Sequence, residues 1–273
     1  MKRLAMYAHY GPQPHVAGYV LHYLRQLRLL DFQITFISNS AISRESEDEL
    51  KKYAARIITR ENTGYDFAMW QRGLAESDLA EFDELLLTNS SIIGPLHPLA
   101  DLWRNPAVAD CDFWGLTDND EMEVHLQSYF LVFQPRVFRS ARFAGFWRSV
   151  LPYQDKSQVI RSYEIGLTKW LAEGGFKWKA AFPREQIRNL SRERRSLFTA
   201  VQRRIRGGTP WQSNTTVAQP DILFQAGMPF LKLALLKESG LEFTPQMALN
   251  LLQKANLSGE VLEDLRVSFA VRQ

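Results

Sequence analysis

An alternation of strand-like and helix-like segments between Arg3 and Asn89 constrains the fold of this chain more than any other feature. Short runs rich in apolar, β-branched and aromatic residues alternate with stretches whose apolar residues recur at helical spacing. The strand-like runs read RLAMYAHY, FQITFISNS, ARIITR and FDELLLTNSS. Parallel strands need crossover connections, which are usually helices, so this order predicts an α/β fold with parallel strands in this half.

The second half continues with strand-like CDFWGLT and SYFLVFQPRVF, separated by an acidic stretch. Helical patterns and a short strand-like FKWKAAF follow them. We predict an α/β core over residues 1–183, a basic amphipathic segment over 184–208, and a mainly helical C-terminal extension over 209–273 that packs on the core.

Composition supports a globular protein, because 45% of the residues are hydrophobic and 12% are aromatic. The single cysteine, Cys111, cannot form an internal disulfide and favours a reducing compartment. No secretory signal pattern and no long apolar run is evident, so we expect a cytoplasmic protein.

Polar residues follow the predicted strands at the edge where α/β sheets bind ligands, beyond their carboxyl ends. We therefore expect a binding site formed by His9, Tyr10, Ser38, Asn39, Arg60, Asn62, Gly64, Asp66, Asn89, Ser90 and Ser91.

Two of these groups have a simpler interpretation. Asn62 and Gly64 suit a tight turn with positive φ, yet Arg60 and Asp66 beside that turn could clasp a phosphate and a ribose or base. Residues 89–91 could merely cap a following turn. Their hydroxyls and amide could also hydrogen-bond a diphosphate, although they cannot replace the hard oxygen ligands of a divalent cation.

Three carboxylates are candidates for chemistry. Asp118 and Asp120 form a D-x-D pattern that could share Mg²⁺ or Mn²⁺ and neutralise a leaving diphosphate, or could lie in a solvated acidic loop. Glu164 lies in a predicted amphipathic helix, where it is either a surface charge or a general base within reach of a substrate proton.

The basic segment carries eight arginines between Arg184 and Arg206 against Glu185 and Glu193, a net charge of 8 − 2 = +6 in a chain of net charge +3. A basic amphipathic helix can lie on an anionic membrane, and Arg194, Arg195, Arg203 and Arg204 are the residues we assign to that contact. Packing of this helix on its own domain is the alternative. Nucleic-acid binding is not expected, because no stacking aromatics or binding motif accompanies the arginines.

Seven stretches occur in the order in which a known family carries them. They are RENTGYDFAMWQRGL, FDELLLTNSSIIGPL, DFWGLT, HLQSYFLVF, the FW pair at Phe146-Trp147, VIRSYEIGLTKWLAEGGF and PFLKLALL. From Tyr7 to Leu236 the chain thus resembles the rhamnan synthesis protein F (RgpF) family of bacterial polysaccharide glycosyltransferases.

The resemblance implies a GT-A-like, Rossmann-like nucleotide-sugar fold with a mixed sheet flanked by helices and a helical C-terminal extension. It implies transfer of a sugar, such as rhamnose from dTDP-rhamnose, to a lipid-linked cell-surface glycan such as the O-antigen of lipopolysaccharide, at the inner face of the membrane. Glu164 would be the base, with Asp118 and Asp120 as rivals. The acceptor or donor sugar would meet Trp114, His125, Gln127, Ser128 and Tyr129.

Family members commonly read Asn-Asp-Ser where this chain has Asn89-Ser90-Ser91. The missing carboxylate leads us to expect no metal cofactor, with Mg²⁺ or Mn²⁺ at Asp118 and Asp120 as the alternative. Arginine or backbone N–H groups would then stabilise the leaving diphosphate. A competing hypothesis is a non-catalytic sugar-nucleotide-binding or scaffolding subunit of a polysaccharide assembly complex.

Overall fold

The computed structural model describes residues 1–196, 214–237, 243–255 and 257–269. Its strands are β1 (Arg3–His9), β2 (Phe32–Ser38), β3 (Arg56–Thr59), β4 (Glu84–Asn89), β5 (Ile92–Ile93), β6 (Phe113–Asn119), β7 (His125–Leu126), β8 (Phe130–Phe133), β9 (Trp178–Phe182) and β10 (Leu231–Lys232). The central sheet has the order β3-β2-β1-β4-β8-β6-β7, and β9 pairs with β6.

The first four strands of this sheet are parallel, and helices connect them. Helix α1 (Gly18–Leu29) links β1 to β2, α2 (Arg44–Leu50) links β2 to β3, and α3 (Tyr65–Ala75) leads towards β4. Helix α2 begins as its sequence predicts, because the Ser43 hydroxyl accepts a hydrogen bond from the Ser46 amide. The carboxyl ends of β1, β2 and β4 therefore lie side by side.

The remaining strands make the sheet mixed. Strand β8 is antiparallel to both β4 and β6, whereas β9 is parallel to β6. Strand β10 pairs with β5 in a separate two-stranded sheet just past the end of β4. This pairing returns the C-terminal part of the chain to the carboxyl edge of the central sheet.

Helices of the second half surround this framework. They are α4 (Pro135–Phe138), α5 (Ala141–Arg148), α6 (Lys156–Val159), α7 (Gly166–Glu173), α8 (Arg184–Ser196), α9 (Thr215–Ala218), α10 (Pro220–Gln225), α11 (Ala234–Lys237), α12 (Pro245–Lys254) and α13 (Gly259–Phe269). A π-helical segment, Ile160–Ile165, joins α6 to α7.

Two hydrophobic clusters cover the two faces of the sheet. Alternate residues of β1 contribute to each, with Tyr7 in one cluster and Met6 in the other, as expected for a strand covered on both faces. The first cluster joins α1 to the C-terminal helices, and the second packs α3 against α5 and α7. The predicted α/β class, with a mixed sheet and a helical C-terminal part, is confirmed.

Several predicted boundaries were wrong. Strand β8 ends at Phe133 because Pro135 begins α4, and proline favours the first turn of a helix. The acidic stretch is not a simple loop, since Asp118 pairs with Leu126 and Asn119 pairs with His125 across β6 and β7. The predicted division into segments at residues 183 and 208 stays a prediction.

In the described parts of the chain, every helix is too short or too polar to cross a membrane.

Candidate functional site

The carboxyl ends of β1, β2 and β4 are joined by backbone hydrogen bonds. The Asn39 amide donates to the His9 carbonyl at 3.0 Å, and the Ser90 amide donates to the Ala8 carbonyl at 3.0 Å. The polar residues that end these strands are thereby held at one edge of the sheet, where the alternation of segments placed them.

His9 and Ser38 form the buried base of this edge. His9 Nδ1 lies 3.0 Å from Ser38 Oγ, and burial lowers the pKa of His9 to about 4. The imidazole is therefore neutral near pH 7. Tyr10, the next residue along, is 55% exposed and extends this edge into solvent.

Arg60 closes the loop between β3 and α3. Its guanidinium donates to Asn39 Oδ1 at 3.0 Å and to the Thr63 carbonyl at 2.7 Å. Burial, reinforced by the nearby Arg72 charge, lowers the pKa of Arg60. The arginine ties the loop to the end of β2, so it belongs to the edge at which we expected it.

The turn before α3 requires glycine at position 64. Gly64 has a φ of +73°, and a Cβ there would lie 2.6 Å from Ala68 Cβ and 2.7 Å from Pro152 Cα. Tyr65 shares the left-handed region with a φ of +52°, whereas the exposed Asn62 does not. The turn prediction was thus right for Gly64 and wrong for Asn62.

Asp66, in the first turn of α3, contacts Asn89 at the end of β4. Asn89 Nδ2 donates to Asp66 Oδ2 at 2.7 Å. Burial raises the pKa of Asp66 to about 6, although the Asn89 hydrogen bond and the Lys232 charge act in the opposite direction. This carboxylate can change its protonation close to neutral pH.

The strand end around residues 88–91 is largely satisfied within the protein. Thr88 Oγ1 donates to the Tyr129 carbonyl at 2.9 Å, and Ser90 Oγ accepts from the Tyr10 amide at 3.2 Å. Ser91 donates to Asn89 Oδ1 through both its amide, at 3.0 Å, and its hydroxyl, at 2.6 Å. These contacts orient Asn89 so that its amide group points to Asp66.

Lys232 is the functional candidate that the sequence analysis missed. Strand β10 brings it beside β5, with Nζ 3.7 Å from the centre of the Tyr129 ring. Burial lowers the pKa of Lys232 to about 8, and the charges of Glu164 and Asp66 counteract this shift. A lone lysine inside the apolar run PFLKLALL was the available signal, because lysine is almost never buried without a partner.

Glu164 lies on the π-helical segment and faces the same cluster. Ser128 donates to Glu164 Oε2 through its hydroxyl and through its amide, the latter at 3.1 Å. Burial acts to raise the pKa of Glu164, but interactions with His125 and Ser128 outweigh it and lower that pKa. The carboxylate is therefore ionised. π-Helical turns inside helices are frequent at functional sites.

His125 is hydrogen-bonded through one ring nitrogen, and its other ring nitrogen lies near the Glu164 carboxylate without a hydrogen bond in the described residues. Its Nδ1 lies 2.7 Å from the Glu123 carbonyl, and its Nε2 lies 3.6 Å from Glu164 Oε1. Burial alone would lower the pKa of His125, but Glu164 and the Glu123 carbonyl raise it overall. His125 and Ser128 thus join the predicted site through Glu164.

The other three predicted sugar contacts, Trp114, Gln127 and Tyr129, all take part in contacts inside the protein. Thr117 Oγ1 donates to Gln127 Oε1 at 2.7 Å and lies 2.6 Å from the Tyr129 hydroxyl. Trp114 is 3% exposed and packs against Phe130, with ring centres 5.7 Å apart. Trp114 belongs to the hydrophobic core, while the Tyr129 ring reaches the site through Lys232.

Asp118 and Asp120 bind arginines at the start of α8. The Arg184 guanidinium and its amide both donate to Asp118, the amide at 2.7 Å. Arg188 makes a bidentate pair with Asp120, at 2.9 Å for both contacts. The Arg188 hydrogen bonds, opposed by partial burial, lower the pKa of Asp120 to about 2.

These carboxylates do not fit a divalent cation, because guanidinium groups occupy the oxygens that would bind it. In the described residues, no group of three or more His, Cys, Asp or Glu side chains is arranged to hold a metal ion. The geometry therefore argues against the Mg²⁺ or Mn²⁺ alternative at Asp118 and Asp120, and against either residue as a free base.

A family model described as rhamnan synthesis protein F matches residues 34–271, which is most of the chain. The chain belongs to the rhamnan synthesis protein F family. The resemblance found from the seven sequence stretches is confirmed, and the Asn89-Ser90-Ser91 strand end lies inside the matched region.

This family member is 31% identical to an uncharacterized protein of Sinorhizobium fredii over 160 residues, which is 56% of this chain and 42% of that protein. It is 29% identical to the virulence protein VirA of Vibrio anguillarum over 189 residues, which is 67% of this chain and 60% of that protein. The chain thus spans 42% and 60% of the lengths of these relatives.

A solved structure of a mannosyltransferase from Pyrobaculum calidifontis, in complex with GDP-Man and Mn²⁺, is similar to this family member with a TM-score of 0.44 and 11% identity. The similarity covers 99% of this chain and 86% of that one.

The predicted membrane contact of this family member falls largely outside the described residues. Arg203 and Arg204 are not described, nor are the side chains of Arg194 and Arg195 at the end of α8. At the start of α8, Arg184 and Arg188 pack against the core through Asp118 and Asp120. This part of the basic segment agrees with the alternative of packing on the domain.

Proposed function

We propose that this protein is a glycosyltransferase that moves a sugar from a nucleotide-sugar donor to a growing cell-surface polysaccharide. Membership of the rhamnan synthesis protein F family supports a rhamnose-like sugar and dTDP-rhamnose or a similar donor. The observation that carries the proposal is the charged cluster of Asp66, Glu164 and Lys232 at the carboxyl edge of the sheet, where α/β folds bind ligands.

The donor nucleotide would occupy the ends of β1 and β2 and the loop from Arg60 to Asp66. Its diphosphate would lie beside the residues 89–91. Lys232 is close enough to Asp66 and Glu164 for their charges to affect its pKa, so it can supply positive charge next to that position. We assign to Lys232 the stabilisation of the leaving diphosphate, which makes a metal ion unnecessary.

Glu164 would accept the proton of the attacking hydroxyl. Its ionised state and its place beside His125 and Ser128 support this role, since a base must be unprotonated before the acceptor binds. His125 would share the charge of the carboxylate and orient it. The acceptor sugar would then approach from the side of His125 and Ser128.

The acceptor that we propose is a lipid-linked glycan such as an O-antigen precursor, met at the inner face of the membrane. The basic segment that begins with α8 would help the protein to reach an anionic lipid surface. Replacement of Arg194, Arg195, Arg203 and Arg204 by Gln should release the protein from anionic liposomes. Equal binding by the quadruple variant would contradict this part of the proposal.

The proposal is tested first by donor binding. Thermal unfolding in the presence of a panel of nucleotide sugars, with Mn²⁺ or with chelator, should show stabilisation by one donor in both conditions. Stabilisation that needs Mn²⁺ would refute metal independence. Absence of a response to every nucleotide sugar would refute the glycosyltransferase proposal.

Transfer is tested with Glu164→Gln. We expect a rate about 100- to 10,000-fold lower, with donor-induced stabilisation retained, because general-base catalysis contributes about this factor. Glu173→Gln is the matched control, since Glu173 lies in the following helix and is exposed. Donor binding by the wild type without transfer to any acceptor would instead support the non-catalytic subunit.

A further inference from the structure

A groove of about 610 Å³ runs between α3 and α5, on the face of the sheet that carries the second hydrophobic cluster. Ala68, Gln71, Arg72 and Ala75 line it from α3 at the spacing of one helical face. Ala144 lines it from α5. Alanines on both helices keep the side chains short where the helices face each other, and this leaves the space open.

The polar part of the groove is cationic. Arg60, Arg72 and Arg148 line it, and no carboxylate does. Arg72 pairs with Glu76 outside the lining, whereas Arg148 makes no ion pair with the described part of the chain. The groove therefore attracts an anion, and an exposed arginine can bind a phosphate through two parallel hydrogen bonds.

The remaining lining is apolar. Leu74, Leu79, Phe138, Phe143 and Trp147 contribute aliphatic and aromatic surface. Trp147 directly precedes Arg148 along α5, so the indole surface lies next to a charged group. This part of the groove can bury a hydrocarbon chain.

Arg60 and Arg148 lie towards one end of the groove, and Leu79 and Phe138 lie towards the other, with Arg72 between them in the second half of α3. Arg60 precedes the first turn of α3, while Leu79 follows its last turn, about 16 Å further for an 11-residue helix. Arg148 ends α5, and Pro152, just beyond it, contacts Gly64 at the start of α3. The cationic end thus adjoins the Arg60 loop of the candidate site.

We propose that this groove binds a lipid phosphate, with the phosphate at Arg148 and the hydrocarbon chain along α3 towards Leu79 and Phe138. Cationic and apolar surfaces at opposite ends match a ligand with an anionic head and an apolar tail. If the protein transfers a sugar as proposed, this lipid would be the anchor of the acceptor glycan, and this role rests on the proposed function. Binding of the lipid phosphate in the groove does not rest on it.

The test measures binding of decyl phosphate, below its micelle concentration, to the full chain by isothermal titration calorimetry. We expect saturable binding at one site, much weaker binding of decyl maltoside, which lacks the charge, and weak binding of inorganic phosphate, which lacks the chain. Equal binding of inorganic phosphate would show an ordinary anion site, and no binding of decyl phosphate would overturn the proposal.

Two variants locate the site. Ala144→Trp should abolish decyl phosphate binding by filling the groove, while Ala141→Trp, on an exposed position of the same helix, should leave it unchanged. Arg148→Gln, an exposed change that does not disturb packing, should weaken binding about tenfold. Unchanged binding by Arg148→Gln and by a folded Ala144→Trp would overturn the assignment.

Donor binding separates this proposal from the proposed function. The nucleotide-sugar thermal shift should be the same in the wild type and in Ala144→Trp, because Ala144 lies on α5 and not at the strand ends and loop assigned to the donor. Decyl phosphate binding without any nucleotide-sugar response would support the groove and refute the glycosyltransferase. The reverse result would refute the groove alone.

Discussion

Two acidic regions lie at the same end of the sheet, and their surroundings differ. Asp118 and Asp120 face Arg184 and Arg188, so each carboxylate has a cationic partner at hydrogen-bond distance. Asp66 and Glu164 both experience the charge of Lys232, and Asp66 also that of Lys156, but Lys232 makes no direct ion pair with either carboxylate among the described contacts. The arginines of α8 neutralise the carboxylates of the first region, whereas the charges of the second region are not fully compensated.

This difference shows how environment separates structural carboxylates from functional candidates. The pKa of Asp120 is lowered to about 2, mainly by the Arg188 hydrogen bonds, which is typical of an ion pair that fastens α8. The pKa of Asp66 is raised by burial to about 6, while that of Glu164 is lowered by its hydrogen bonds. Neighbouring carboxylates with diverging pKa values are characteristic of acid–base sites.

Apart from Glu164→Gln, the largest effect is expected from Lys232→Met. If Lys232 stabilises the leaving diphosphate, its loss should lower kcat for sugar transfer about 100- to 1000-fold, as removal of one such charge-stabilising group does elsewhere. The rate is measured with saturating donor. Because the pKa of Lys232 is about 8, wild-type transfer should also decline above that pH, while the residual rate of the variant should not.

Lys177→Met is the control for this change, since Lys177 is exposed and its backbone binds Asp112 just before β6, at the edge of the sheet opposite the cluster. A normal rate of sugar transfer in Lys232→Met would contradict a catalytic role for the second region. The contrast between the two regions would then be one of stability alone.

A smaller effect, on stability rather than rate, is expected from Asp118→Asn. The Asp118 and Arg184 side chains are 7% and 14% exposed, so the variant removes one of the two counter-charges of a buried guanidinium and leaves Asp120, which Arg184 shares with Arg188. We expect the free energy of unfolding in urea to fall by about 3 kcal/mol, at the low end for a broken buried pair, because Asn can still accept from the Arg184 amide.

Transfer per folded molecule should not change in Asp118→Asn. Asp101→Asn, which breaks the exposed pair with Arg104, should hardly alter stability. If Asp118→Asn is as stable as the wild type but has lost transfer, Asp118 has a catalytic role and the two regions do not differ as described.

Protonation of Asp66 should make the free energy of unfolding depend on pH. The size of this effect should be similar to that of Asp118→Asn, or smaller. Its folded pKa of about 6 exceeds the ordinary value of 3.8, so the wild type loses stability as the pH rises from about 4 to about 6. Asp66→Asn lacks this titration. The free energy of unfolding of the variant, minus that of the wild type, should therefore rise by roughly 2 to 3 kcal/mol between pH 4 and pH 7.

The difference between the two proteins is the quantity to measure, by urea unfolding at each pH. His9 titrates in the same range with a lowered pKa, but it is present in both proteins and its effect cancels. A stability difference that is constant between pH 4 and pH 7 would show that Asp66 has an ordinary pKa.

The sequence predicted the local part of this arrangement. Runs of apolar residues located β1 to β4, and their polar endings located the edge at which His9, Asn39 and Asn89 meet. These predictions succeeded because each depends on residues within one segment and on the general rule for parallel sheets.

Long-range pairing accounts for what the sequence did not reveal. Arg184 lies 66 residues beyond Asp118, and Arg188 lies 68 residues beyond Asp120, so the D-x-D pattern gave no sign of its partners. Lys232 reaches the cluster only through the pairing of β10 with β5. The space between α3 and α5 likewise depends on how two helices pack, which hydrophobic periodicity does not specify.

The smallest effect is expected from Ser90→Asp, which adds a carboxylate to the second region. Ser90 is 7% exposed and follows Asn89, the residue that binds Asp66, so the new charge lies near a carboxylate whose pKa is already raised. Without metal, repulsion of the donor diphosphate should weaken donor binding by about 1 kcal/mol, or about fivefold. Mn²⁺ should restore binding in Ser90→Asp and leave the wild type unchanged, because only the variant offers the added carboxylate as a ligand.

Ser90→Asn, similar in size and uncharged, is the matched control. If Ser90→Asp and Ser90→Asn bind the donor equally well in chelator, the diphosphate does not lie at this strand end, and the charge of the second region serves another ligand.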